Sequence, residues 1–269
     1  MSRLSRTRAG SAYGAVERAV VTGAAGGLGS AFVDALRARG YEVMGADLAG
    51  AEAVLDVTDA EACRRLAREL QPDVWVNNAG VLGAGPVTEL TDAVIERIVH
   101  VNLLGVIYGT RAAVEIMSKR GSGRVLNVAS LASFTPVPGE TVYAATKHGV
   151  RAFTLGMAAE LRGSGIRLSV LCPDGIWTPM LHDCLEDPAA ALSFSGTRLL
   201  EPRPVAELGV ELLESRRHRP LASIPRYRGA LVRLTGIAPN LFLRAVPLFE
   251  KAGRRNQARM LKTTTRSDE

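Results

Sequence analysis

The chain has 269 residues, 47% of them apolar and 22% charged, with 27 glycines and a net charge of +6; this usage is that of a soluble globular protein and excludes collagen, coiled coil and wholesale disorder. The positive charge sits at the ends, because residues 19–215 carry 16 Lys/Arg against 23 Asp/Glu while residues 216–269 carry 13 against 3. No general positive field therefore draws ligands into the body, and without aromatic interleaving or a recognised module no nucleic-acid partner is expected.

Residues 1–17 begin with basic residues but lack the apolar run that a signal peptide needs, so export is not expected and the segment reads as flexible. From residue 18 the pattern is strand, turn, helix, strand. Residues 19–22 are a short β-branched run, and a glycine-rich turn follows at 22–29. Residues 30–39 place Ala31, Phe32, Ala35 and Leu36 at helical spacing, with Gly40 as the stop. Residues 41–46 form the next strand, which ends at Asp47. A short strand at 53–55 precedes a helix at 59–70, capped by Thr58 or Asp59. Further strands are expected at 73–76, 124–128, 166–171 and 220–224, and helices at about 92–118 and 142–162. Apolar strands alternating with helices imply a parallel sheet covered on both faces. The expected fold is α/β, a Rossmann-like doubly wound sheet in a single domain over residues 18–225, with a basic helical extension at 226–269.

The turn TGAAGGLG, with Gly23, Gly27, Leu28 and Gly29, suits a pyrophosphate. Glycines let the backbone approach closely, and the free N–H groups that open the next helix face the negative charge. The acid expected about 20 residues further on is Asp47, whose carboxylate can accept both ribose hydroxyls of NAD and repel the extra phosphate of NADP. NAD is the expected cofactor. Tyr143 and Lys147 stand four apart at the start of a helix, hence on one face. A free phenol titrates near 10, and lowering it by about 3 units needs roughly 4 kcal/mol, about what one cation at 4 Å supplies at an effective dielectric near 20.

Ser130 lies thirteen residues before Tyr143, and NNAG occupies 77–80. With TGAAGGLG and YAATK in this order and spacing, residues 18–225 resemble the short-chain dehydrogenase/reductase family. The resemblance implies an oxidoreductase of secondary alcohols and ketones. Ser130, Tyr143 and Lys147 would form its catalytic trio, and Asn102 would be the fourth member, holding a water in the proton relay. It further implies that Asp56 and Val57 flank the adenine, that Asn78, Ala79 and Gly80 line the cofactor with Pro173, and that Ile176 and Thr178 hold the nicotinamide amide. A homodimer or homotetramer formed through the helices at 92–118 and 142–162 is implied in the same way. The family's Pro-Gly is here Pro173-Asp174-Gly175, which leaves Asp174 either turned outward or influencing substrate polarity.

Ser133, Phe134, Pro136, Val137, Trp177, Met180 and Leu181 flank these motifs and are candidates for an apolar substrate pocket suited to a bulky, steroid- or lipid-like alcohol. His100, His148, His182 and His218 have no ligand spacing, so no metal is expected. The three cysteines, Cys63, Cys172 and Cys184, are odd in number and unpaired in sequence, which fits a reducing cytoplasm. Residues 226–260 are basic and amphipathic, broken by Pro239 and Pro247. Two readings of them stay open: a helical extension that caps the cleft or forms a subunit contact, and peripheral attachment to anionic lipid. Two other functions remain as alternatives, a catalytically silent cofactor sensor and a membrane-surface adaptor. The intact Asn102, Ser130, Tyr143 and Lys147 set argues against both.

Overall fold

The computed structural model of the chain describes residues 16–267, with side chains through residue 262; nearly all of the expected flexible segment at 1–17 lies outside the described residues. The chain runs β1 (Arg18–Thr22), α1 (Gly27–Arg37), β2 (Glu42–Asp47), β3 (Ala53–Val54), α2 (Ala60–Leu70), β4 (Val74–Asn77) and α3 (Asp92–Val99). A π-helical turn (His100–Leu104) leads into α4 (Gly105–Arg120), and β5 (Gly123–Val128), α5 (Thr141–Glu160), β6 (Ile166–Pro173) and α6 (Pro179–His182) follow. A 3₁₀ segment (Pro188–Phe194), α7 (Pro202–Glu214), β7 (Leu221–Ile224), α8 (Arg226–Thr235) and α9 (Pro239–Ser267) complete it.

The seven strands form one parallel sheet in the order β3-β2-β1-β4-β5-β6-β7. Because β1 leads outward to β2 and β3 while β4 to β7 extend the other way, the connections diverge between β1 and β4. A crevice opens there at the carboxyl ends of the strands. One face is covered by α1 and α7, which bury Phe32, Leu36, Val205 and Val210 against Val21, Val76 and Leu126. The other is covered by α2 and α4, which bury Cys63, Ala67, Ala113 and Met117 around Trp75 and Leu168. Both faces of β4 are buried, which is why its sequence VWVN shows no alternation. The stretch Asp92–Arg120 is apolar enough by composition to cross a bilayer, yet Val106, Ala112, Ile116 and Met117 spend that apolarity against the sheet.

Two helices differ from expectation. Helix α1 begins three residues early, because the glycine turn supplies its first turn: Gly26 is the N-cap and Ser30 N already donates to Gly26 O at 2.9 Å. The helix expected at 92–118 is broken by the π-helical turn around Asn102, an insertion that tends to mark functional sites. The extension packs on the body. Asn256 Nδ2 donates to Phe194 O and Gly196 O, Gln257 Nε2 donates to Asp187 O, and Gly253 lies flat against Ala191.

A buried polar chain underlies the central strands. Trp75 Nε1 donates to Asn77 Oδ1 at 2.7 Å, Asn77 Nδ2 to Asn127 Oδ1 at 2.8 Å, and Asn127 Nδ2 to Thr154 Oγ1 at 2.9 Å. All four residues are buried and each finds a partner, so the network joins β4, β5 and α5 without an orphaned group.

Candidate active site

The glycine turn is held open by its neighbours. Gly23 adopts a φ of +68°, and a Cβ there would lie 2.7 Å from Ala79 Cα; one at Gly29 would lie 1.9 Å from Gly23 O. Asn78 Nδ2 donates to the carbonyls of Thr22 and Gly23 at 3.1 Å each, and Thr22 Oγ1 accepts from the N–H groups of Asn78 and Ala79. TGAAGGLG and NNAG are thus one hydrogen-bonded unit across the crevice. At its mouth α1 has no side-chain cap and no acid in its first turn. An 11-residue helix whose first N–H groups face a cavity lined by Gly26, Gly27, Leu28 and Gly29 fits a pyrophosphate.

Asp47 ends β2 with Oδ2 accepting from Ala25 N at 3.0 Å and Oδ1 from Leu48 N at 2.8 Å, which fixes the carboxylate at the cavity edge. Asp56 Oδ1 is taken by the hydroxyl and N–H of Thr58, and Val57 is buried beside it. The residues that line the cavity thus suit a dinucleotide along its whole length.

One cavity of about 660 Å³ contains Gly23, Gly27, Leu28, Gly29, Asp47, Asp56, Val57, Asn78, Ala79, Gly80, Ser130, Tyr143, Lys147, Pro173, Ile176 and Thr178. Gly27 packs so closely on Thr178 that a Cβ would sit 3.1 Å from its methyl group. Tyr143 and Lys147 share one face of α5, with Lys147 Nζ 5.5 Å from the Tyr143 ring centre and donating to Val128 O at 3.2 Å. The Ser130 hydroxyl accepts from Ala132 N at 3.1 Å and lines the cavity beside Tyr143.

Electrostatics differ from expectation at this trio. Burial pushes the Tyr143 phenol above its ordinary value, nearby Glu140 adds to that, and only the Ser130 hydrogen bond opposes them. Lys147 does not reverse that rise, and burial pulls its own ammonium down to about 8. The expected lowering by one cation omitted the desolvation of both groups, which here outweighs their attraction.

Asn102 is the one expected site residue outside the cavity. It is wholly buried, its Oδ1 accepts from Val81 N and its Nδ2 donates to Val81 O, both at 2.8 Å. These two bonds use one of the amide's two N–H donors and one of its oxygen's two lone pairs, and they fix the strand end after NNAG. Asp174 is not turned outward but lines the cavity. It points inward to the extension, where Arg228 Nε lies 2.7 Å from its Oδ2, an ion pair whose angle falls short of a hydrogen bond. Of the expected pocket residues, Pro136, Val137, Met180 and Leu181 line the cavity. Ser133 instead contacts Cys172, Phe134 lies beneath the guanidinium groups of Arg151 and Arg233, and Trp177 packs edge-on to His182.

The substrate end contains groups that spacing did not reveal. Leu231, Leu234, Leu241, Phe242 and Phe249 of α8 and α9 form its apolar wall. Glu140, one helical turn before Tyr143, lines the cavity with only 1% of its surface exposed. The only signal available in the sequence was that three-residue spacing, which is equally that of a solvated acid.

The family model for short chain dehydrogenases matches residues 17–189. The chain is 32% identical over 237 residues to the NAD(+) 15-hydroxyprostaglandin dehydrogenase of Rattus norvegicus, covering 73% of this chain and 85% of that one. It is also similar to the crystal structure of levodione reductase, with a TM-score of 0.72, 27% identity, and 80% and 98% of the two chains covered. A variant actinorhodin polyketide ketoreductase with NADPH matches with a TM-score of 0.72 and 27% identity over 80% of this chain and 97% of that one.

Proposed function

The chain belongs to the short-chain dehydrogenase/reductase family, an oxidoreductase acting on CH–OH groups with a nicotinamide cofactor, and from that premise we propose that it uses NAD to interconvert a bulky, apolar secondary alcohol and its ketone. The observation that carries this is a single cavity with an uncapped glycine-rich helix end at one side, Ser130, Tyr143 and Lys147 at its waist, and an apolar wall at the other side. NAD, when bound, supplies the hydride acceptor. Asp47 favours it over NADP, since its carboxylate repels a further phosphate and no Lys or Arg adjoins it in sequence to offset that.

Tyr143 is the proton carrier. With its phenol held above the ordinary value, Tyr143 is fully protonated at neutral pH and ready to donate a proton to a ketone oxygen; the reverse reaction requires it to accept the alcohol's proton. The Ser130 hydroxyl, which favours the phenol's charged form, steadies the substrate oxygen as charge develops. Lys147, 4% exposed, keeps a positive charge beneath the phenol below pH about 8 and loses it above. Ketone reduction is therefore expected to hold level near neutrality and to fall above pH 8, while alcohol oxidation rises with pH until Lys147 is neutral. The test is turnover of steroids, long-chain 3-hydroxyacyl compounds and cyclic alcohols with NAD and NADP in parallel. Equal or better rates with NADP across the series would overturn the cofactor assignment, and no turnover of any alcohol would overturn the enzyme.

We place the protein in the cytoplasm, as a homo-oligomer formed through α3–α4 and α5, on which Val94 and Leu155 are apolar and exposed. Peripheral contact with anionic membrane through residues 226–260 is supported by one observation: Leu231, Leu234, Ile237, Leu241 and Leu248 are each more than half exposed among the exposed arginines 226, 233 and 244. Salt-sensitive sedimentation with phosphatidylserine vesicles is expected; failure of the full chain to bind them removes the membrane contact, and a concentration-dependent dimer that buries these leucines would assign the face to a second copy.

A further inference from the structure

A carboxylate at a helix N-terminus is favourably placed when it faces the free N–H groups there. Glu140 occupies the N-cap of α5 and does not: its side chain makes no cap bond and is instead buried at the cavity. Its hydrogen-bond partner is Ser193, whose hydroxyl donates to both carboxyl oxygens at 2.7 and 2.9 Å. One donor shared between two oxygens leaves most of the carboxyl's capacity unused, and no ion pair reaches it among the described residues.

The backbone is built to hold it there. Gly139 adopts a φ of +84°, and a Cβ on it would lie 2.1 Å from Ala189 O, so the glycine lets Glu140 enter flush against the 3₁₀ segment that carries Ser193. Independently, the Thr135 hydroxyl is buried, lines the same cavity and has no hydrogen-bond partner. Around them the cavity is apolar, with Val137, Leu192 and Phe242 among its lining. Two under-used polar groups inside an apolar chamber are the mark of a ligand's polar point, since buried groups of this kind are otherwise satisfied by the protein.

We propose that Glu140 and Thr135, with Ser193 as the group that positions the carboxyl, form a second substrate-binding point that takes a hydrogen-bond-donating hydroxyl or amine on the apolar body of the alcohol, distinct from the hydroxyl that reacts. The proposal rests on the dehydrogenase reading and narrows it: the substrate class is an apolar diol or amino alcohol rather than a simple alcohol. Burial also raises the Glu140 carboxyl to about 7, with Ser193 pulling it down and Asp187 pushing it up, so near neutrality it can accept from or donate to such a group. A substrate with a carboxylate at that position meets like charge and is disfavoured.

The test uses the full-length protein and steroid alcohols that share one reacting hydroxyl and differ at a second position, which bears a hydroxyl, a methyl or a carboxylate. The diol should exceed the methyl compound in kcat/KM by at least about tenfold, and the acid should be poorest; sites that hydrogen-bond a hydroxyl reject analogues lacking it. E140L should collapse the diol preference, T135V should reduce it, and E140Q, which keeps both a donor and an acceptor, should retain it while tolerating the acid better. Equilibrium binding of the same compounds by calorimetry, with NAD present, gives the same ranking without turnover. It decides the matter if E140L misfolds, because T135V and E140Q are then compared alone. A diol preference absent at every second position, or one that survives both E140L and T135V, overturns the proposal. Absence of turnover with the binding ranking intact overturns the dehydrogenase reading instead.

Discussion

The two ends of the cavity are built from different materials. At the nucleotide end, the backbone does the recognising: the conformation of Gly23, the close approach of Gly29 to Gly23 O and the two bonds from Asn78 fix a surface of N–H groups whose shape depends little on side chains. At the substrate end, side chains from distant segments do it. Leu231 and Phe249 arrive on the extension, Leu192 on a 3₁₀ segment, and Glu140 and Thr135 from the loop before α5. A backbone-defined site demands particular residues at fixed local spacing, whereas a side-chain-defined site can be lined from anywhere in the chain.

Substitutions that respect or break this division should scale accordingly. The largest effect is expected where the two ends meet. Tyr143→Phe removes the proton carrier and should lower kcat by about a thousandfold, with NADH binding, read by fluorescence titration, unchanged. Next is Gly29→Ala at the nucleotide end. Its Cβ would lie 1.9 Å from Gly23 O, so the turn must move, at a cost of about 1–3 kcal/mol; NADH affinity should fall tenfold or more in the same titration, whatever alcohol is used.

At the substrate end the effects should be conditional. Because burial raises Glu140 from 4.5 to about 7, the carboxyl takes up a proton on folding; its contribution is complete below about pH 4.5 and is lost as pH rises through 7. Urea unfolding at pH 5 and pH 8 should therefore show wild type losing up to about 3 kcal/mol relative to Glu140→Gln over that interval. The smallest effect is expected from Arg228→Ala, which strands Asp174 at the junction of β6 and α8. The pair is partly exposed, 18% and 11%, so the loss should be about 2 kcal/mol rather than the full cost of a buried unpaired charge. KM for bulky alcohols should rise several-fold and that for small alcohols should not, which measures how far the extension, apart from the sheet, sets selectivity.

The same division explains what could be read in the sequence. The alternation of apolar strands with helices, the glycine turn, Asp47 and the Ser130, Tyr143 and Lys147 spacing all depend on neighbours within about a helix of one another, and they were legible. The Asp174–Arg228 pair joins residues 54 positions apart and the Asn77–Asn127 bond joins residues 50 apart, so neither leaves a local trace. Asn102 was legible as a site residue, but its pair of bonds to Val81 was not, because only the π-helical turn aims its amide there. Glu140 reads as a surface acid until the fold buries it. The phenol's titration was misjudged for the same reason, since burial is not a property of spacing.

The wall formed by α8 and α9 follows the motifs along the chain and is joined to the rest by the Asp174–Arg228 ion pair, by hydrogen bonds that include those from Thr235, Asn256 and Gln257, by Arg233 over Phe134, and by apolar contact. The reacting groups belong wholly to the part that precedes it. Grafting a different terminal segment after β7 would therefore redirect an unchanged hydride-transfer engine to a new clientele, so that among similar chains the tail, more than the motifs, is where substrate preference should drift.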